Sequence, residues 1–379
     1  MTAEVQMLQQ LLPTAEFIAI DLEFTGLNPY QDTMPRYFDT IDLRYQQAKD
    51  VADVFTVIQL GLCVFNRARD GILSAYPMSF LIRPSNGIFS CQTTSIRFLV
   101  DDGQFDFNEL FRNGLPSNTS GREIMRQISE SKVPLVMHNG LLDLMFIIKT
   151  FFEPIAKTLL SFKEQCRRLF PTVFDSKLVC SKSEHLRGTF GSFWLEKVFE
   201  HVNTDDQFMD LPPIRIMTPG FEEKQHHDAA FDAYMTGVVF ARARHFIQYS
   251  SSKSIMQTEN WLVESIDWST SDIMHFANRI CLNRCIQHLN LTSGDVPSFR
   301  GVLKVAIQES LSIRVRTSHI VDVLKPVIRQ DRMKLLWDDD KTAFAILGAQ
   351  FHDRLQWIAT TVNNATRMAG FTVEPFYGI

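Results

Sequence analysis

Acidic residues beside hydrophobic segments are the first feature of this sequence that could do chemistry. Asp21 and Glu23 come directly after the apolar run at residues 17–20, which is rich in strand-forming residues. Side chains alternate across a β-strand, so these two carboxylates should point to the same face. Acids at a strand end also serve merely to meet solvent. The pair by itself therefore leaves a cation site and a solvated strand end equally open.

Two further acids lie one turn inside predicted helices. Asp143 follows the turn at residues 138–140 and has apolar neighbours, among which an unpaired charge is costly to bury. Asp232 belongs to a later helix for which Asp228 is the predicted N-cap, and His227 stands just before that cap. Each acid could instead lie on a solvated helix surface. These two acids become candidates for a shared site because they occur in the same chain as Asp21 and Glu23.

The predicted elements would bring these acids to one mixed sheet. Strands at residues 17–20, 57–65 and 78–82 follow one another and suggest an antiparallel meander. A short strand at 134–137 then leads through a turn into a helix at 141–152. This change from successive strands to strand, turn and helix indicates an α/β fold.

The second half of the chain continues with a strand predicted at residues 173–179 and a long amphipathic helix at 228–247. Residues from about 250 to 300 are predicted to be mostly helical. The C-terminal part predicts the order strand, helix, strand, strand, helix, strand, at residues 303–307, 318–328, 333–337, 342–347, 350–361 and 371–376. This βαββαβ order is the one on which RNA-recognition domains are built.

Composition excludes several classes of protein. The 379 residues include 45% hydrophobic and 21% charged residues, which is typical of a folded globular chain. The formal net charge of -5 speaks against a broad basic surface for nucleic acid, although cations bound to an acidic site would cancel part of it. No secretory pattern and no apolar stretch of about 18 residues is present, which predicts a cytoplasmic or nuclear protein without a membrane segment.

Taken in chain order, the acids resemble the DEDD exonuclease superfamily. The pattern is Asp-x-Glu on a first strand, Asp after His-Asn on a middle helix, and His-x-x-x-x-Asp on a late helix, which is the histidine subtype, since the tyrosine subtype would carry Tyr at Asp228. Four segments further resemble the poly(A)-specific ribonuclease (PARN) family. They are FIAIDLEFTG (17–26), QLGLC (59–63), CQTTSIRFLVDDGQFDFNELFRNGLP (91–116) and HDAAFDAYMTG (227–237).

The resemblance implies a ribonuclease H-like exonuclease fold, a mixed central sheet flanked by helices, with a C-terminal RRM-like domain. It implies that Asp21, Glu23, Asp143 and Asp232 hold two Mg²⁺ ions, for which Mn²⁺ can substitute, with Asp21 bridging both. His227 is the implied general base, because an imidazole of ordinary pKa, about 6.5, can accept a proton near neutral pH. The implied products are 5′-nucleoside monophosphates.

Four other residues are candidates for holding the substrate. Phe24 could stack on the terminal base, although packing in the core is an equally good interpretation. Asn139, Lys177 and Arg44 are candidates for contacts with phosphates or bases. The expected domains are an exonuclease domain at 1–250, a helical connector at 251–300 and a degenerate RRM-like domain at 301–379.

Two departures from the PARN pattern bear on the substrate. Where that pattern carries an inserted nucleic-acid-binding domain, only residues 117–136 join the flanking segments. The stretch at 312–316 lacks the tryptophan with which the family's C-terminal domain binds a 5′ cap, so cap binding is not expected. Trp337 is predicted to pack in the core, and Phe344 alone is a poor substitute for paired stacking aromatics.

These departures resemble compact relatives that trim the 3′ ends of small RNAs, such as PIWI-interacting RNA precursors. Trimming is the favoured function, and deadenylation of mRNA tails is the alternative. A DNA exonuclease and a catalytically inactive RNA-binding scaffold also stay open. The expected partner is a single-stranded RNA 3′ end, and the resemblance adds a homodimer and small-RNA pathway proteins. Some of those relatives carry a C-terminal membrane anchor, which is not expected here.

Overall fold

The computed structural model describes residues 3–29, 35–68, 71–85, 87–208, 211–221, 228–251, 272–293, 299, 301–308, 315–365 and 370–377. The chain divides into two units. Unit 1 comprises Met1–Met34, Ile41–Asn283 and His288–Gly294. Unit 2 comprises Pro35–Thr40, Arg284–Gln287 and Asp295–Ile379. None of the described helices combines the length and the apolar character needed to cross a bilayer.

A mixed sheet forms the centre of unit 1, and among the described residues it has nine strands. In order across the sheet, β4, β3, β2, β1, β5, β6, β8 and β9 are neighbours, and β7 pairs with β3. Strands β1 to β3 form the predicted antiparallel meander, and β5 runs parallel to β1. The strands are β1 (Ala15–Phe24), β2 (Val57–Arg67), β3 (Leu73–Arg83), β4 (Leu115–Pro116), β5 (Leu135–Met137), β6 (Val173–Asp175), β7 (Ile214–Ile216), β8 (Arg279–Cys281) and β9 (His288–Asn290).

Helices of unit 1 pack on this sheet. The longest, α10, lies on the face of β1 that carries Phe17, whose ring stacks on Phe65 at 4.6 Å and meets Phe240 edge-on at 5.3 Å. A π-helical turn at Ile148–Phe152 continues α6. The helices are α1 (Ala3–Leu11), α2 (Ile41–Val54), α3 (Thr93–Asp101), α4 (Phe107–Asn113), α5 (Arg122–Ser131), α6 (Leu141–Ile147), α7 (Leu159–Leu169), α8 (Ser176–Lys182), α9 (Leu195–Thr204) and α10 (Ala229–Ser251).

Two predictions for unit 1 were wrong. The strand expected at residues 173–179 ends at Asp175, because that side chain accepts the N–H of Leu178 and so starts α8 as an N-cap. The region from 250 to 300 was expected to be mostly helical. Its described part contains a 3-10 helical turn at Asp272–Phe276 and then β8 and β9, which extend the sheet because β8 pairs with β6 and β9 with β8. Residues 252–271 of that region lie outside the described part of the chain.

Unit 2 contains the predicted βαββαβ order. Its antiparallel sheet has the strand order β11-β12-β10-β13, and α11 and α12 bury Ile320 and Ile358 against one face with Leu303 and Val305. The elements are β10 (Val302–Ile307), α11 (Thr317–Leu324), β11 (Met333–Trp337), β12 (Thr342–Leu347), α12 (Leu355–Ala365) and β13 (Phe371–Pro375). The predicted bounds of β11 and β12 are the observed ones.

Aromatic side chains cover the other face of the unit 2 sheet. The Phe38 ring, from the distant segment Pro35–Thr40, lies 3.7 Å from the Phe344 ring centroid and 5.1 Å from that of Phe376. Phe299 completes the cluster at 5.2 Å from Phe376. Phe344 is therefore buried. Trp337 packs against the helix-side core as expected, and its indole N–H donates to the Thr317 hydroxyl at 2.9 Å.

Candidate active site

Three carboxylates meet at the carboxyl end of β1. Asp21, Glu23 and Asp232 each place one carboxylate oxygen within 4.8 Å of the other two. Alternation along β1 puts the first two on one face, as the sequence predicted, and α10 brings the third over that face. Three acids so close are unfavourable unless they hold a proton or a cation.

Asp143 joins this cluster from α6. Its side chain is 9% exposed, and its charge acts on both Asp21 and Glu23. Burial, together with repulsion from the other acids, raises the pKa of Asp21 and of Glu23 well above their usual range. Burial raises the pKa of Asp143 to about 7. The structure thus brings together the four acids that the sequence singled out, from β1, α6 and α10.

A close approach between β2 and the start of α10 positions Asp232. Gly61 pairs with Asp21 across the sheet, and a Cβ at Gly61 would lie 1.9 Å from the carbonyl oxygen of Ala229. Only a residue without a side chain fits there. A glycine inside an apolar strand is a recognised sign of such an approach. In the sequence, this glycine lies in a predicted strand and in a segment that resembles the PARN family, and neither feature predicts the contact with α10.

Gln59 and Asp228 tie the first turn of α10 to the sheet. Asp228 caps the helix as predicted, since its Oδ1 accepts the N–H groups of Ala230 at 3.0 Å and Phe231 at 3.3 Å. Gln59, which pairs with Glu23, donates through Nε2 to Asp228 Oδ2 at 3.3 Å and to the Ser79 hydroxyl at 2.8 Å. The last acid is thereby held in register with the first two.

Asp175 is a functional residue that sequence reasoning missed. Its fully buried carboxylate accepts four backbone N–H groups, from Asn139 at 3.1 Å, Gly140 at 3.2 Å, Leu178 at 3.1 Å and Cys281 at 2.9 Å. Burial raises its pKa, and these four donors act in the opposite direction. The carboxylate fixes the turn that leads to Asp143. The sequence predicted a strand through Asp175, so neither its capping of α8 nor its three distant donors was expected.

We expect Asp175→Asn to loosen this turn. The amide NH₂ would face two N–H donors that now share one carboxylate oxygen, and each buried donor left unpaired costs about 1–3 kcal/mol. The melting temperature should fall by about 5–15 °C. The divalent cation concentration for half-maximal activity should rise about tenfold. Asp106→Asn is the control, because Asp106 caps α4 through Oδ1 alone. Unchanged cation dependence would contradict a positioning role.

The four candidate substrate residues have different surroundings. Phe24 stacks on Phe146 with ring centroids 4.2 Å apart, which supports the packing interpretation. Asn139 has φ +66°, and its buried Oδ1 has no hydrogen-bond partner among the described residues. Lys177 is partly exposed, and its charge acts on His138. Lys177 is therefore accessible to a ligand, whereas Asn139 offers an unpaired oxygen that is buried.

Arg44 does not fit its predicted role. It is 7% exposed on α2, and its guanidinium donates to Gln47 Oε1 at 2.9 Å and to the carbonyl oxygen of Asn283. These contacts hold two parts of unit 1 together. The prediction failed because the sequence does not show which side chains of an amphipathic helix will be buried. His227, the predicted general base, lies outside the described residues.

The donor set fits a hard divalent cation. All the candidate ligands are carboxylate oxygens, which suit Mg²⁺ or Mn²⁺, whereas zinc sites use more His and Cys. A bound cation would also offset the repulsion that raises the pKa of Asp21 and Glu23. The residues present therefore match the metal site that the sequence predicts.

Without a cation, the acid cluster should make stability fall as pH rises. Unfolded Asp has a pKa of about 3.9, whereas burial raises the pKa of folded Asp143 to about 7. Between about pH 4 and pH 7 the folded state holds a proton that the unfolded chain has released, so the free energy of unfolding decreases as pH rises. In EDTA the melting temperature should therefore drop more steeply across this window for wild type than for Asp143→Asn. Equal slopes would contradict the raised pKa.

Residues 1–120 and 116–240 match the model of the CAF1 family ribonucleases. The chain belongs to this family. The CAF1 ribonuclease match covers the residues that build the acid cluster, and residues 241–379 lie beyond it.

Relatives of this CAF1 ribonuclease confirm the resemblance to the PARN family. The chain is 39% identical to Poly(A)-specific ribonuclease PARN of Arabidopsis thaliana over 127 residues, which are 31% of this chain and 18% of that protein. It is 28% identical to the Pre-piRNA 3′-exonuclease trimmer of Bombyx mori over 130 residues, 32% of this chain and 24% of the relative. These alignments thus span less than a quarter of either relative. Poly(A)-specific ribonuclease PNLDC1 of Mus musculus is 21% identical over 78% of both chains.

A solved structure shares the fold of the ribonuclease unit. The structure of S. pombe Pop2p in its Mg²⁺- and Mn²⁺-bound form aligns with a TM-score of 0.51 at 17% identity, over 73% of this chain and 94% of that one. The likeness confirms the mixed α/β fold. The ions named there belong to the yeast protein.

Proposed function

We propose that this CAF1-family protein is a metal-dependent 3′–5′ exoribonuclease that releases 5′-nucleoside monophosphates. The observation that carries the proposal is the convergence of Asp21, Glu23, Asp143 and Asp232 from three separate elements. Buried like charges are unfavourable, and a fold that collects them is built for cations. The family match supports RNA as the substrate.

Two Mg²⁺ ions, when bound, supply water activation and neutralisation of the charge that develops on the leaving oxygen. We propose that the Asp21 carboxylate would contribute to holding both ions, because the charges of Glu23, Asp143 and Asp232 all act on it. Asp143 completes the set from α6. These four side chains would hold the cations, and the cations would supply the positive charge that a scissile phosphate requires.

We assign the general base to His227. Two observations support this assignment. His227 immediately precedes the capping residue Asp228 in the sequence, and Asp228 is held by a hydrogen bond from Gln59. A neutral imidazole can accept the proton of the attacking water near pH 7. Asn139 Oδ1 and Lys177 are the proposed contacts for the RNA, to a sugar hydroxyl and to a phosphate respectively. Phe24 would bound the pocket of the terminal base.

The proposed substrate is the 3′ end of short RNAs, such as small-RNA precursors. In support, residues 117–136 form a π-turn, α5 and the start of β5, with no room for an inserted nucleic-acid-binding domain. We propose that unit 2 is a degenerate RRM-like domain. Its sheet face is filled by Phe38 and Phe299 rather than open for bases, which favours a short substrate over a long tail held at several points.

The test is degradation of end-labelled RNAs in Mg²⁺ by wild type and by His227→Ala. Mixed-sequence RNA should shorten from its 3′ end, DNA should not, and the variant should lose the rise of rate near pH 6.5. A chain that shortens nothing would be an RNA-binding scaffold, and equal decay of DNA would defeat the ribonuclease assignment. If oligo(A) is degraded faster than mixed-sequence RNA, the proposed function becomes deadenylation, which is in line with the similarity to a poly(A)-specific ribonuclease.

A further inference from the structure

The segment that leads into α9 presents one large aromatic side chain to solvent. Residues 183–194 connect α8 to α9, and their apolar side chains Leu186 and Phe190 are buried in the core that α10 covers. Trp194, the largest of them, is 79% exposed. Trp194 is therefore exposed although two other large apolar side chains of the same segment are buried.

The backbone beside Trp194 is fixed to the turn that carries Asn139. The ring N–H of buried His138 donates from Nε2 to the carbonyl oxygen of Phe193 at 3.0 Å, and the Ser176 hydroxyl donates to Nδ1 at 2.8 Å. Burial lowers the pKa of His138 to about 4, so the ring stays neutral and this tautomer persists at working pH. The exposed indole thus starts one residue from a contact with the active-site turn.

A second anchor comes from α9, which begins directly after Trp194. Phe199 packs edge-on against Phe231 at 6.3 Å and Tyr234 at 6.0 Å, the residues on either side of Asp232 along α10. Trp194 therefore lies in the chain between two anchored residues, Phe193 at the turn before α6 and Phe199 against α10. Lys177, whose charge reaches His138, makes no ion pair among the described residues, so a cation stands beside the same turn.

We propose that Trp194 is a stacking platform for a base of single-stranded RNA upstream of the scissile phosphate. The inference rests on the proposed exoribonuclease function and adds a binding subsite to it. Every base offers a flat π-face, so an exposed indole on a fixed backbone binds RNA without selecting its sequence. A neighbouring ammonium group suits the phosphates between such bases. Single-stranded RNA is the occupant because base face and phosphate are both matched here.

The experiment compares wild type with Trp194→Ala and Trp194→Phe in Mg²⁺. On mixed-sequence RNA of about ten nucleotides, the alanine variant should raise KM about tenfold, within about 5- to 100-fold, and the phenylalanine variant should retain most of the affinity. The kcat should hardly change. A dinucleotide, too short to reach the platform, should be cleaved equally by all three. Trp357→Ala, which removes an exposed tryptophan of unit 2, is the control.

An abasic scan identifies the stacked nucleotide. Removing one base at a time from the RNA should weaken wild type at one position, and Trp194→Ala should no longer respond at that position. Melting temperatures should agree within about 1 °C, because the side chain is exposed. Unchanged KM and an unchanged abasic profile, in an enzyme that does degrade RNA, would overturn the platform and leave Trp194 as a protein contact. Failure of wild type to degrade RNA would instead defeat the proposed function.

Discussion

Asp21→Asn is expected to lower kcat by about 10³-fold or more while making the cation-free protein more stable. A carboxylate oxygen of Asp21 lies within 4.8 Å of one from Glu23 and one from Asp232, and Asp21 is proposed to contribute to holding both cations. Its loss removes a ligand from both, and the charge stabilisation that such groups give the transition state is large. Activity should be measured across Mg²⁺ concentrations, because excess cation should not restore it.

The same substitution should increase the stability of the cation-free protein, although it lowers activity. Burial and repulsion raise the pKa of Asp21 well above its usual range, so ionising it at pH 8 destabilises the folded state. The neutral amide removes that penalty, and in EDTA the melting temperature should rise by about 3 °C. Asp106→Asn, at an exposed helix cap, should change neither quantity. An inactive variant that is also less stable would show that Asp21 supports the fold rather than the chemistry.

Gly61→Ala is expected to lower kcat/KM by about 100-fold with all the acids intact. A Cβ at this position would lie 1.9 Å from the Ala229 carbonyl oxygen and 2.4 Å from the Ala230 nitrogen. These are backbone atoms, so the first turn of α10 must move by more than 1 Å to make room. Displacements of that size around a reacting centre cost about 10²-fold in rate. The change acts by moving Asp232 away from Asp21.

The control for this change is Gly191→Ala, since a Cβ at Gly191 meets open space and its φ is not in the left-handed region. Cation titrations separate geometry from global damage. A displaced α10 should raise the Mg²⁺ concentration for half-maximal activity in protein that remains folded by circular dichroism. Wild-type cation dependence in Gly61→Ala would mean that the contact between β2 and α10 does not set the metal site.

Local periodicity made much of the fold predictable. The antiparallel meander, the strand before the His-Asn turn and the six C-terminal elements were all predicted. Their hydrophobic residues recur with a period of 2 or 3.6, and a few residues are enough to recognise such a period. The same alternation placed Asp21 and Glu23 on one face. The chain order of the acids then predicted their association with Asp143 and Asp232, which the structure brings together.

Long-range pairing lay outside what such patterns reveal. Strands β8 and β9 were expected to be helical, because three-residue strands show no periodicity and form only where an existing sheet edge accepts them. Phe38 could be assigned to the Phe344 face only once the unit 2 sheet was known. Arg44 looked like a substrate contact, since nothing local showed that its guanidinium reaches Asn283.

The sequence by itself therefore indicated the four carboxylates at the end of β1 and in the first turns of α6 and α10, and with them the proposed metal chemistry. Only the tertiary structure decided what holds them in place. Asp175 collects N–H groups from three separate segments, and Gly61 admits the start of α10. Residue types and spacing specify which groups can bind a cation. Their positions depend on contacts between residues far apart in the chain, which no local pattern encodes.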